Sequence, residues 1–339
     1  MRPQVNDAYW RFAAQRHRIF EDRLRGILGP WSRDEILGTF KFCNAYRALD
    51  RVSQYLIREV IYGENARELS AEDTFMRIVL FRLFSKEATW EEIETVSGGL
   101  KCSSLDIGLL GDALAKLQSR QPIYTSAFIL AAPSGFGYAA KHRNHLALVS
   151  QMFKMGGLGS ALGKASSLEE VYEALVAYPM IGPFLGYQIA IDLNYSDRLD
   201  FDENEFTVPG PGALRGIAKV FSDPGSSNSQ ELIMRMVERQ EEEFERLDLD
   251  FGGLLGRPLK AIDCQNLFCE IDKYSREAFP ELKSNRSRIK SRFVVSGPLL
   301  PLHLPPKWGL NLEEVRQREE FGAQFLDDHP ELSPVVASL

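Results

Sequence analysis

Residues Asp200-Phe-Asp-Glu-Asn-Glu205 put four acids into six positions. A carboxylate in such a run can stabilise positive charge developing in a transition state, or activate water. Asp202 and Glu203 are the catalytic candidates, against the plainer reading of a helix cap or a surface acid. If the cluster is partly buried, like-charge repulsion raises at least one of its pKa values. The run imitates a calcium loop at its first, third and fifth positions. Its sixth position is Glu205 where Gly is needed, and its twelfth is Pro211 where Glu is needed, so calcium binding fails. The stretch Gly156 to Ala165 imitates a phosphate loop, but Leu158 stands where Gly is required and Ala165 where a magnesium-holding Ser or Thr belongs. ATP binding by that route is rejected. His142 and His145 sit one turn apart with nothing to complete a metal site. Cys43, Cys102, Cys264 and Cys269 form no C-x-x-C pair. No metal, disulfide or cofactor is expected.

A second set is polar. Asn44, Arg47, Arg51, Gln54 and Arg58 recur at three- or four-residue steps. On a helix they make one stripe, either a solvated face or the lining of a base pocket in which amides read hydrogen-bonding edges and arginines meet phosphate. Gln188 and Asp192, one turn apart, are further pocket candidates. Tyr124, Phe136 and Tyr138 are read as core, though one aromatic could stack on an extruded base.

Helical periodicity must position these groups. Apolar residues from Phe42 to Val60 predict one helix over Trp31 to Tyr62. Ser70 before Glu72 and Asp73 predicts a helix to Phe84, and Thr89 is the expected cap of the next. Further helices are expected over 106–119, 142–155, 167–177, 183–194, 211–221, 228–246 and 262–278. Glycine- and proline-rich joints are expected at 133–137, 156–163, 209–212 and 252–258. Strand alternation is absent, so the fold is mainly α.

The chain has 339 residues, 44% hydrophobic and 26% charged, the balance of an ordinary globular protein. No run approaches a membrane span and no signal segment is visible, so a cytoplasmic protein is expected, with no membrane or protein partner. With 40 basic and 47 acidic residues the net charge is −7, which does not favour nucleic acid. Charge is segregated, however: Lys283, Arg286, Arg288 and Lys290 lie in a basic run, and the N-terminal stretch is rich in arginine. Between two expected helices, Pro179-Met-Ile-Gly182 makes a tight turn, with Pro183 at a favoured first helical position. Such a helix-hairpin-helix aims backbone N–H groups at a DNA phosphate without side-chain charge, so Met180, Ile181, Gly182 and Phe184 are backbone-contact candidates.

This segment resembles the helix-hairpin-helix DNA glycosylases. In that pattern a Lys after the second hairpin Gly marks enzymes that also cleave the strand, and a catalytic Asp follows. Here Phe184 takes the Lys position and Asp202 lies eighteen residues later. Phe184 cannot form a Schiff base, which implies no lyase activity. Met180 replaces the first hairpin Gly, where a left-handed backbone is usual.

The segments Phe40 to Arg58, Leu80 to Phe84, Asp202 to Phe206 with Val208-Pro-Gly-Pro-Gly212, and Asp263 to Tyr274 resemble a narrower group over about residues 30–310. That group comprises the helical domain of 5-hydroxymethyluracil DNA kinases and the α-glutamyl/putrescinyl thymine pyrophosphorylases. The resemblance implies a bilobal glycosylase-like fold: a basic extension over 1–30, a helical domain over 31–310 with one lobe of 31–120 plus 260–310 and a hairpin lobe of 121–259, and a tail over 311–339. The cleft between lobes is the default binding site. It also implies a monofunctional glycosylase that flips and excises a hypermodified pyrimidine, such as glucosylated 5-hydroxymethylcytosine, from phage DNA in antiviral defence. The alternatives are a transferase or pyrophosphorylase acting on 5-hydroxymethyluracil, and a non-catalytic reader of modified DNA.

Overall fold

A computed structural model of the chain describes residues 1–66, 68–125, 135–282, 285–286, 288–289, 291–294 and 301–312. Among them are thirteen α-helices and no strand beyond isolated bridges. In chain order these are α1 (Pro3–Leu24), α2 (Glu35–Thr39), α3 (Arg51–Tyr55), α4 (Ala71–Phe84), α5 (Glu87–Ser97), α6 (Ile107–Gln118) and α7 (Lys141–Ser150). They continue with α8 (Leu158–Lys164), α9 (Leu168–Val176), α10 (Pro183–Leu193), α11 (Pro211–Val220), α12 (Ser229–Arg246) and α13 (Ala261–Ala278). No described helix is long and apolar enough to cross a membrane.

The chain forms two compact units. The first holds the described residues of Met1–Asp50, Thr207–His303 and Trp308–Leu339, and the second Arg51–Phe206 with Leu304–Lys307. These boundaries differ from the lobes read from the sequence.

In the first unit α11 and α13 pack so closely that a Cβ on Gly216 would stand 1.9 Å from the Phe268 carbonyl oxygen. Only glycine allows that approach. Residues 1–30, expected as a basic extension, contribute α1 to the core. Tyr9 and Trp10 are fully buried, and the Tyr9 hydroxyl donates to the Cys264 carbonyl at 3.1 Å. The arginines of α1 drew the reading away from Val5, Tyr9, Phe12 and Ala13, whose spacing is helical.

The second unit is built around α4, which is buried on every side. Ser70 caps it as expected, accepting the Asp73 N–H at 3.1 Å. A helix hidden all round must neutralise its charges. The Arg77 guanidinium meets Glu94 at 2.6 Å and lies over the Trp90 ring at 4.8 Å, and Arg82 pairs with Asp192.

Three expectations are corrected. The single helix over Trp31–Tyr62 is broken into α2, a 3-10 turn at Arg47–Leu49, α3 and a π-helical turn at Leu56–Ile61. Polar side chains capture the backbone there: Asp50 accepts the Asn44 N–H at 2.8 Å and the Asn44 amide donates to the Leu49 carbonyl at 2.7 Å. Phe40 is extended and bridges to Arg292. Thr89 is not a cap; α5 starts at Glu87, and the buried Thr89 hydroxyl donates to the Ile123 carbonyl at 2.8 Å. The expected joint at 156–163 contains α8, where a Cβ on Gly159 would strike the Glu72 side chain at 2.5 Å. The glycine there lets α8 pack against α4.

Candidate nucleic-acid interface

The hairpin is present. α9 ends at Val176, a turn spans 177–180, and α10 begins at Pro183 behind Gly182 in an extended N-cap conformation. Val176 Cγ1 would stand 2.5 Å from a Cβ on Gly186, so glycine at 186 is what lets the two helices close on each other. Met180 adopts φ +71°, the left-handed conformation of the usual glycine, despite its side chain. The turn closes with the Ile181 N–H donating to the Tyr178 carbonyl at 3.3 Å. Ile181 is buried and anchors the loop; Gly182 is exposed, and Phe184 is half-buried on the first turn of α10. Exposed backbone at a helix N-terminus is what a phosphate contact requires.

The acidic run follows α10. Asp202 is exposed, and its carboxylate accepts the Asn204 N–H at 3.1 Å in a local turn. Glu203 is buried. Glu205 is exposed and accepts the Leu168 N–H at 2.8 Å, so it holds the first turn of α9 and ties the acid run to the hairpin. Asp200 is exposed and lies 3.6 Å from the Lys307 ammonium. The cluster is thus only partly buried: three of its four acids face solvent, and Glu203 alone is inside.

Gln188 and Asp192 share the buried length of α10. Asp192 is fully buried, and its carboxylate receives two hydrogen bonds from the Arg82 guanidinium, the second at 2.9 Å. That two-point ion pair joins α4 to α10 behind the hairpin. Arg82 was missed because an arginine inside an apolar run carries no mark of its partner.

The polar stripe is also corrected, because no single helix carries it. Asn44 is half-buried in irregular chain, and Arg47 is buried with its backbone N–H donating to Asp263 at 2.8 Å. Both belong to the first unit. Arg51, Gln54 and Arg58 belong to the second. There Arg51 is exposed and 3.0 Å from Glu87, while Gln54 is buried. Arg286 and Arg288 are exposed; Lys283 and Lys290 lie outside the described residues. His142 and His145 are buried, bonded to the Gly111 carbonyl at 3.2 Å and the Tyr124 hydroxyl at 3.0 Å. Burial, with the charges of Lys141 and His142, pushes His145 down to about 4.

Residues 3–284 match the family described as the helical domain of the 5-hmdU DNA kinase, and the chain belongs to that family. The match begins inside α1, earlier than the resemblance read from the sequence. Among curated proteins the chain is similar to a 5-hmdU DNA kinase of Bacillus phage SP10, 25% identical over 290 residues, covering 79% of this chain and 44% of that protein. The chain thus spans less than half of the relative's length. No solved structure matches. The glycosylase expectation is overturned: both family and relative are named for a kinase acting on modified DNA, a transferase and not a hydrolase of the N-glycosidic bond.

Proposed function

We propose that this chain acts in DNA base modification, engaging DNA that carries 5-hydroxymethyluracil for phosphoryl transfer to the hydroxymethyl oxygen. The observation that carries this reading is the family match over residues 3–284. The hairpin suits it, since Gly182 and the first turn of α10 offer a phosphate neutral donors in a protein of net charge −7. Arg286 and Arg288 add exposed positive charge. In the transfer step the hydroxymethyl oxygen attacks the terminal phosphorus of a nucleoside triphosphate, the bond to the leaving diphosphate breaks, and the hydroxyl proton passes to a carboxylate. Asp202, exposed beside the hairpin, is the proposed acceptor, the role that the catalytic-loop aspartate fills in protein kinases. Gln188 and Gln54, both in the second unit, remain proposed readers of the base.

Competition binding tests the substrate. The protein is titrated against duplexes that differ only in thymine, 5-hydroxymethyluracil, cytosine or 5-hydroxymethylcytosine at one position. Preference for 5-hydroxymethyluracil, weakened uniformly for all four duplexes by a Gly182→Pro exchange at the hairpin, supports the reading. Equal affinity for all four duplexes removes it.

A further inference from the structure

The first unit holds a small cavity lined by Arg16, Ile19, Trp31, Ser32, Leu37, Phe42 and Phe293. One wall is α1. The opposite wall forms where Phe40 bridges to Arg292 and the Phe293 N–H donates to the Thr39 carbonyl at 2.9 Å. Its volume is about 30 Å³. A single water needs roughly 10–15 Å³ on that measure, so the space suits a polyatomic ion and is too small to enclose a nucleoside.

The decisive group is Arg16. It is 8% exposed, and its Nη1 is buried with no hydrogen-bond partner. A guanidinium has five donors and cannot shed its charge, so burying it without an anion is costly. The other deeply buried arginines with defined partners, Arg77 and Arg82, each hold a carboxylate. The acids whose charge reaches Arg16, Asp50 and Glu270, act on it from a distance and form neither a hydrogen bond nor an ion pair with it. Asp50 accepts the Asn44 N–H, while Glu270 accepts the Cys43 N–H at 3.0 Å and pairs with Lys273 at 2.7 Å. Arg23, whose guanidinium lies 5.4 Å from the Trp31 ring centroid, brings a second positive charge towards the same wall. Ser32 supplies a hydroxyl, which already accepts the Asp34 N–H at 3.0 Å and retains its own proton to donate.

We propose that this cavity is an oxyanion site of phosphate class, with Arg16 as its charged floor and Trp31, Phe42 and Phe293 as its dry walls. A guanidinium in such a setting makes charge-assisted, two-point bonds to phosphate oxygens. The ion is either free phosphate or the terminal phosphate of a nucleotide. The site goes beyond the activity proposed above and stands or falls separately from it.

The test is the thermal midpoint and tryptophan fluorescence of the full chain at fixed ionic strength, with chloride exchanged for inorganic phosphate, thymidine 5′-monophosphate or a 5′-phosphorylated oligonucleotide. The expected result is a saturable rise in Tm and a fluorescence change that Trp31→Phe removes. Arg16→Gln weakens phosphate binding at least tenfold. Ser32→Phe, which plugs the mouth and leaves Arg16 in place, does the same while unfolding in chloride as the wild type does. Phosphate and thymidine monophosphate binding alike would mark the free ion as ligand, and tenfold tighter nucleotide binding would mark the nucleotide-borne group. No saturable phosphate response in the wild type, or undiminished binding in both variants, overturns the proposal.

Discussion

The two units differ in how completely they pair buried charge. In the second, each deeply buried arginine of α4 meets a carboxylate: Arg77 has Glu94 and Arg82 has Asp192. In the first, Asp272 on α13 is fully buried among Arg215, Lys219 and Arg276 at 2.9, 3.2 and 2.7 Å, whereas Arg16 and Asp50 sit near each other without forming a pair. Paired charges fasten helices together. An unpaired one is either a cost the fold carries or a place for a ligand.

The largest effects follow from breaking a pair. Asp192→Ala leaves Arg82 uncompensated inside the α4–α10 contact and should cost about 3–5 kcal/mol in chemical denaturation. A loss below ~1 kcal/mol would mean that the ion pair is not what joins those helices.

Asp272 and Asp50 sharpen the contrast through pH. Burial pushes Asp272 up, but hydrogen bonds from Arg276 and Arg215 and the charge of Lys219 outweigh it and hold the carboxyl below its ordinary value. Its stabilisation is therefore present above the unfolded carboxylate pKa and is lost as pH falls through the lower folded value. Asp50 is the reverse. Burial first, with the charge of Glu270, raises it to about 6 against the lowering effects of the Asn44 N–H and Arg16. The folded state then binds the extra proton, so Asp50 weakens the fold as pH rises from about 4 to 6. Asp50→Asn keeps an acceptor for the Asn44 N–H and should stabilise the protein by about 1–2 kcal/mol at pH 7 while flattening stability between pH 4 and 6. Urea melts at four pH values decide it. An unchanged slope in that window would show that Asp50 ionises freely.

A smaller effect tests the hairpin. Met180→Gly relieves a left-handed residue that carries a side chain and should raise stability by about 0.5–1 kcal/mol, net of the added chain entropy. A loss would mean that the methionine side chain contributes more packing than the turn costs.

Much of the hairpin was legible in the sequence, because Pro183 after Gly182 and the spacing to Asp202 are local signals. Met180 shows that the turn forms without the usual glycine, holding φ +71° where α9 packs on α10. The break in the Trp31–Tyr62 periodicity was not legible, since Asp50 capturing the Asn44 N–H and residues 291–293 pairing with 39–41 are contacts that no hydrophobic period records. Nor was Arg16, which stood in an apparent basic stretch and proved to be inside. Similarity to a modified-DNA group was readable in the motifs. The reaction was not, because a hairpin with an aspartate after it is a pattern compatible with hydrolysis and with transfer alike.

Nucleoside mass spectrometry tests the central claim most directly. Duplexes bearing 5-hydroxymethyluracil, thymine or 5-hydroxymethylcytosine are incubated with the chain and a nucleoside triphosphate, then digested and weighed. Phosphoryl transfer gives intact strands and a phosphate added to 5-hydroxymethyluracil alone, dependent on the triphosphate and reduced in Asp202→Asn. Binding with no change of mass would contradict the transfer step, and release of a free base with alkali-labile sites would contradict the account altogether.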